Sequence, residues 1–100
     1  MAIVNKKSDK SLLDDVPAGQ EFWCKDGRVM KNMEELDEAL KEMSDDTFKY
    51  HANKEKNDFS NWVRDVIGDV TLSRALARIT TKATAIRKVD ARLRSLEAIQ

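Results

Sequence analysis

The chain has 100 residues, 41% of them apolar and 36% charged, with 18 Lys+Arg balanced by 18 Asp+Glu. That length gives one domain able to build a core without staples, and that composition excludes a disordered chain. No apolar run approaches the roughly 18 residues of a membrane span, and a single cysteine, Cys24, excludes an intrachain disulfide and suits a reducing compartment.

The zero charge is an average of two unlike parts. Residues 1–70 hold 11 Lys/Arg against 16 Asp/Glu, and residues 71–100 hold 7 against 2. An acidic body with a basic C-terminal third points to acidic partners or polyanions for that third, or else to a solvated helix face.

Residues 1–20 read as a mobile polar tail, which Leu12 and Leu13 could tack down, with Pro17-Ala18-Gly19 as a turn before the domain at 21–100. The opening residues carry charges and no apolar h-region, so no signal peptide is expected and the cytoplasm is the expected compartment. Asp26-Gly27 between short apolar runs predicts a β-hairpin with a two-residue type I′ loop. That register pairs Lys25 with Arg28, Cys24 with Val29 and Trp23 with Met30, so Trp23 and Met30 share one face and Cys24 and Val29 the other.

Four helix starts follow, each with a capping residue ahead of an apolar stripe. Asn32 with Glu35 makes a capping box before Met33, Leu36, Ala39, Leu40 and Met43. Ser44, followed by Asp45 and Asp46, ends that helix and caps a shorter one through Asn53. Asn57 or Asp58 caps a helix whose apolar face is Phe59, Trp62, Val63, Val66 and Ile67, stopped by Gly68. Asp69 opens another, with Leu72, Ala75, Leu76 and Ile79 inward.

Two outcomes are open for the end of the chain. Leu72, Ile79, Ile86 and Leu93 recur every seven residues, with Val89 and Leu96 in the alternate positions, as in a coiled coil. One long helix would carry that seam into a homodimer. Thr80-Thr81, β-branched and good at capping, favours a break and a last helix bearing Ala83, Ile86, Val89, Leu93 and Leu96. The expected fold is mainly α: a short N-terminal β-hairpin followed by four or five short helices in a compact bundle.

The ordered blocks Phe22-Trp23, Asp26-Gly27, Lys31-Asn32, Glu35-Leu36, Met43-Ser44-Asp45, Phe48, Tyr50-His51 and Asn57-Asp58-Phe59 through Asp69 run over Phe22–Leu93. In this pattern the chain resembles a small archaeal and bacterial domain of unknown function. The resemblance implies a hairpin-like start and about four short helices, and no particular reaction, ligand or catalytic residue. Where related sequences often continue Thr-Arg/Lys-Glu-Glu-Ala, this chain has Thr81-Lys82-Ala83-Thr84-Ala85, which makes its last third more basic.

Candidate chemistry is sparse. One His and one Cys on separate elements, with Asp45-Asp46 at a poor helical spacing from His51, do not make a metal nucleus. Cys24 and His51 form a catalytic pair only in principle, since nothing places Cys24 at a helix N-terminus or a sharp elbow; a small packed hydrophobe explains it better. No cofactor, metal or catalytic residue is therefore expected, and the chain is not expected to be an enzyme. His51, Asn57, Asn61 and Trp62 are either an interhelix hydrogen-bonding lock or a partner groove. Arg74, Arg78, Lys82, Lys88 and Arg92 form a possible polyanion stripe, although both Trp are expected in the core and no aromatic interleaves with the charges. The expected function is a non-catalytic cytoplasmic interaction module. It would bind a protein partner, or a second copy, through its amphipathic C-terminal helices. The alternative is a nucleic-acid or ribonucleoprotein (ribosome)-associated protein using the basic stripe, with no membrane contact.

Overall fold

A computed structural model describes residues 10–99. A single 3-10 turn (Lys10–Leu13) leads into strands β1 (Phe22–Trp23) and β2 (Val29–Met30). Five helices follow: α1 (Met33–Glu42), α2 (Asp45–His51), α3 (Asp58–Trp62), α4 (Val70–Leu76) and α5 (Lys82–Ile99). The protein is mainly helical, with the short antiparallel hairpin in front, as expected.

The caps act where the sequence places them. Asn32 Oδ1 accepts the Glu35 N–H, Ser44 Oγ that of Thr47, Asn57 Oδ1 that of Ser60, and Asp69 Oδ1 that of Leu72. Each satisfies an orphan donor of a first helical turn, for about 1 kcal/mol apiece. The α1 stripe is inside: Met33, Leu36, Ala39, Leu40 and Met43 are all buried.

The helix is interrupted between Leu76 and Lys82, a stretch that ends in Thr80-Thr81. Thr81 Oγ1 accepts from Thr84 N and starts α5, so α4 and α5 are two helices packed on each other rather than one long rod. The heptad pattern serves the domain's own core, where Leu72, Leu76, Val89, Leu93 and Leu96 are buried and Ile79 and Ile86 lie at the margin. The continuous coiled-coil seam is thereby excluded.

Three features differ from the sequence expectation. The first is hairpin register: Phe22 pairs with Met30 and Trp23 with Val29. The loop has three residues, not two. Gly27 N–H closes a turn on the Cys24 carbonyl, Gly27 takes φ 98°, and Cys24 N–H bonds the Arg28 carbonyl. A type I turn followed by a left-handed glycine is the usual three-residue solution, and Asp-Gly suits it as well as a type I′ loop. One residue of slip inverts the faces. Phe22, Cys24 and Met30 point into the core, while Trp23 is 72% exposed and Val29 42% exposed.

The second concerns the start of the domain. Leu12 and Val16 are core residues, and Val16 N–H bonds the Lys31 carbonyl, so residues 10–20 pack on the domain. Burial of two apolar side chains ties this stretch down. The part of the expected tail before Lys10 lies outside the described residues.

The third is a π-helical turn, Val63–Ile67, that continues α3. The Val63 carbonyl accepts both Gly68 N–H and Asp69 N–H, and Gly68 at φ 90° ends the helix. The wider turn leaves Val63 and Ile67 fully buried while Asp69 begins α4.

Candidate functional site

The hairpin is held to the helices by a clasp centred on His51. Its ring is 5% exposed, at the end of α2. Nε2 accepts the Lys25 backbone N–H at 3.0 Å, which puts the ring proton on Nδ1, where it is donated to Asp58 Oδ2 at 3.0 Å. Asp58 is also paired with Lys56. Phe22 meets the His51 ring edge-on and stacks on Phe59, which in turn stacks on Phe48. An aspartate oriented on a histidine resembles half of a catalytic relay, but the Nε2 lone pair is occupied by a backbone donor.

Neighbouring polar groups are committed in the same way. Asn57 caps α3 with its oxygen and donates its amide to the Leu76 carbonyl at 2.7 Å, tying α3 to the end of α4. Ser60 and Ser73 each donate a hydroxyl to the other's carbonyl across the α3–α4 contact. Trp62 is buried and its indole N–H bonds the Gln20 carbonyl. Of the four groove candidates, His51 and Trp62 are thus interior fastenings and Asn57 is largely one. Only Asn61 is exposed, and it shares with Asn57 a polar surface cleft of about 380 Å³.

The polyanion stripe is broken up by internal bonds. Arg92 forms a two-nitrogen pair with Asp69, whose carboxylate is 1% exposed, so this guanidinium joins α5 to the start of α4. Lys82 is half-buried and its Nζ satisfies the Met43 carbonyl at the end of α1. Arg74, Arg78 and Lys88 remain exposed.

Sequence reasoning missed the surface left open by the hairpin. Trp23 and Val29 are cross-strand partners, so their side chains stand together on its outer face. Beside them a groove of about 220 Å³ runs between β2 and α1, floored by Met30 and Ala39 and edged by Glu35, Glu38, Glu42 and Arg28. Arg28 is engaged by Asp26 and Glu42. Burial pushes the Asp26 carboxyl up, but hydrogen bonds from the Arg28 backbone and guanidinium prevail and hold it below its ordinary value. On the opposite, inner face, burial pushes the Cys24 thiol above its ordinary value. Such a thiol is a poor nucleophile and a poor metal ligand. A second open aromatic is Tyr50, half exposed, with the Lys25 and Lys56 ammonium groups 4.4 and 4.5 Å from its ring centre.

Among the described residues no group of three or more His, Cys, Asp or Glu gathers as a metal cluster, and no helix is long and apolar enough to cross a membrane. The class defined by these features is a small helical domain, fronted by a clasped hairpin that presents a bare tryptophan. The model of the family of unknown function DUF5752 matches residues 17–98, and the chain belongs to that family. No curated protein and no solved structure gave a significant match.

Proposed function

We propose that the protein is a small non-catalytic interaction module of the cytoplasm, and that it engages a protein partner or a second copy through the outer face of its hairpin. The observation that carries this is the 72% exposure of Trp23 beside exposed Val29 on a hairpin whose other face is locked into the core. Tryptophan brings a large contact area at little entropic cost and dominates many interfaces. A position surrounded by rigid structure presents it pre-organised. The C-terminal helices, expected to supply the contact, have their apolar stripe inside the domain. The occupied Nε2 of His51 and the raised thiol of Cys24 favour a non-catalytic role. One free cysteine suits a reducing compartment.

The test is a photo-crosslinking side chain at position 29, opposite an intact Trp23 on the same face, irradiated in native lysate. A discrete adduct that unlabelled wild type competes away, and a Trp23→Ser competitor does not, is the expected result. Adducts formed equally from position 29 and from unrelated exposed positions would contradict it. Exposed Arg74, Arg78 and Lys88 favour a second reading, in which nucleic acid or a ribonucleoprotein is the partner. In that case the same probe at Lys88 would give adducts abolished by nuclease, and the probe at 29 would give none.

A further inference from the structure

The hairpin face and the outer face of α5 are chemically complementary. At the groove lined by Val29, the cross-strand partner of Trp23, the carboxylates of Glu35, Glu38 and Glu42 stand against one guanidinium, that of Arg28, which Asp26 and Glu42 already hold, so this border is acidic on balance. Glu38 and Glu42 are exposed. On α5, internal bonds from Lys82 and Arg92 fix the helix on α1 and α4. Arg87, Lys88 and Arg94 are turned outward, the Arg94 side chain being 79% exposed while its guanidinium pairs with Asp90 one turn back on the same helix. Arg87, Ala91 and Arg94 follow one another at i, i+4 and i+7, on a single face of the helix. Exposed Ala91 and Ser95 leave a low floor between those cations, against which an indole can lie with a guanidinium over its ring.

We propose that the occupant of the hairpin face is a second copy of this chain, which contributes the outer, basic face of its α5. This rests on the reading above that the hairpin's outer face is a contact surface. Two observations select a second copy over a foreign partner. The chain itself carries the complementary surface, the excess of acid lying in residues 1–70 and the excess of base in 71–100. Its formal net charge is zero, so no long-range repulsion opposes the approach of two copies. The contact joins two different surfaces. It closes into a two-fold pair if both contacts form at once, and otherwise extends from copy to copy.

Sedimentation of the full chain over a range of concentrations tests this. At low ionic strength the mass should rise with concentration above that of one chain. It should fall back towards the monomer near 1 M salt, where the screening length is about 3 Å. Trp23→Ser should weaken association about thirtyfold or more, the tenfold-per-1.4 kcal/mol equivalent of a hot-spot side chain. Glu38→Lys and Lys88→Glu should each weaken it alone, and an equimolar mixture of the two variants should regain it, because each altered surface then meets its complement. All three positions are exposed, so unchanged melting serves as the control for folding. A wild-type chain that stays monomeric to about millimolar concentration at low salt overturns the proposal. So does association indifferent to both Trp23→Ser and Lys88→Glu. Should the probe at position 29 capture a different protein while the chain stays monomeric, the second copy is excluded and the hairpin face as a contact surface stands.

Discussion

The hairpin at the front of the domain and the α4–α5 pair at its end look, from their residues, as if their roles should be the reverse of what the structure gives them. The basic, amphipathic C-terminal third suggests an interaction surface, yet its apolar side chains and two of its cations hold the domain together. The hairpin suggests scaffolding, yet its outer face leaves one of the protein's two tryptophans in water. Amphipathicity alone does not distinguish a face that packs on its own domain from one that waits for a partner. What distinguishes them is whether the surrounding fold can cover the face, and here α4 and α5 cover each other.

The comparison breaks most visibly at the ion pair joining α4 to α5. Asp69→Ala removes a cap and strands the Arg92 guanidinium, and should cost about 3–5 kcal/mol, read as a lowered denaturation midpoint. A loss under about 1 kcal/mol would mean that the pair does not join the two helices. Within the hairpin, adjacent residues should separate. Phe22→Ala is expected to cost about 3–5 kcal/mol, as for a buried aromatic, and Trp23→Ala no more than about 0.5 kcal/mol, as for a surface position. Gly27→Ala should fall between them, at about 1–2 kcal/mol, because an alanine is strained at φ 98° even though its Cβ meets no atom. The smallest effect is a pH dependence. Because burial raises the folded-state pKa of Cys24, its contribution is intact below the unfolded thiol's value of about 8.5 and is lost as pH rises through the folded value. Equilibrium unfolding of wild type should therefore weaken on the alkaline side more steeply than that of Cys24→Ala.

The sequence made legible whatever is settled within a turn or two of chain. Asn32, Ser44, Asn57 and Asp69 each cap a donor three residues away, and Thr81 does so after the break. The stripes of α1 and α3 follow from spacing alone. The hairpin register was not legible, because Asp26-Gly27 fits loops of two or three residues equally well. The choice rests on which aromatic, Phe22 or Trp23, fits against His51 and Phe59, and both satisfy a binary pattern. The remaining site features join distant residues: His51 with Lys25, Lys82 with Met43, Arg92 with Asp69 and Trp62 with Gln20. Spacing carries no signal for such pairs. Asp58 was legible as a cap candidate, but its observed role as the His51 partner is set by how α2 and α3 meet.

Everything assigned to the hairpin face depends on its register, and one measurement addresses that register directly: iodide quenching of the two single-tryptophan proteins, Trp62→Phe and Trp23→Phe. Emission from Trp23 should lie to the red and be quenched nearly as a free indole, while emission from Trp62, buried and bonded to the Gln20 carbonyl, should be blue-shifted and protected. A protected Trp23 would place it in the core opposite Met30, restore the two-residue loop, and leave the outer hairpin face without its anchor.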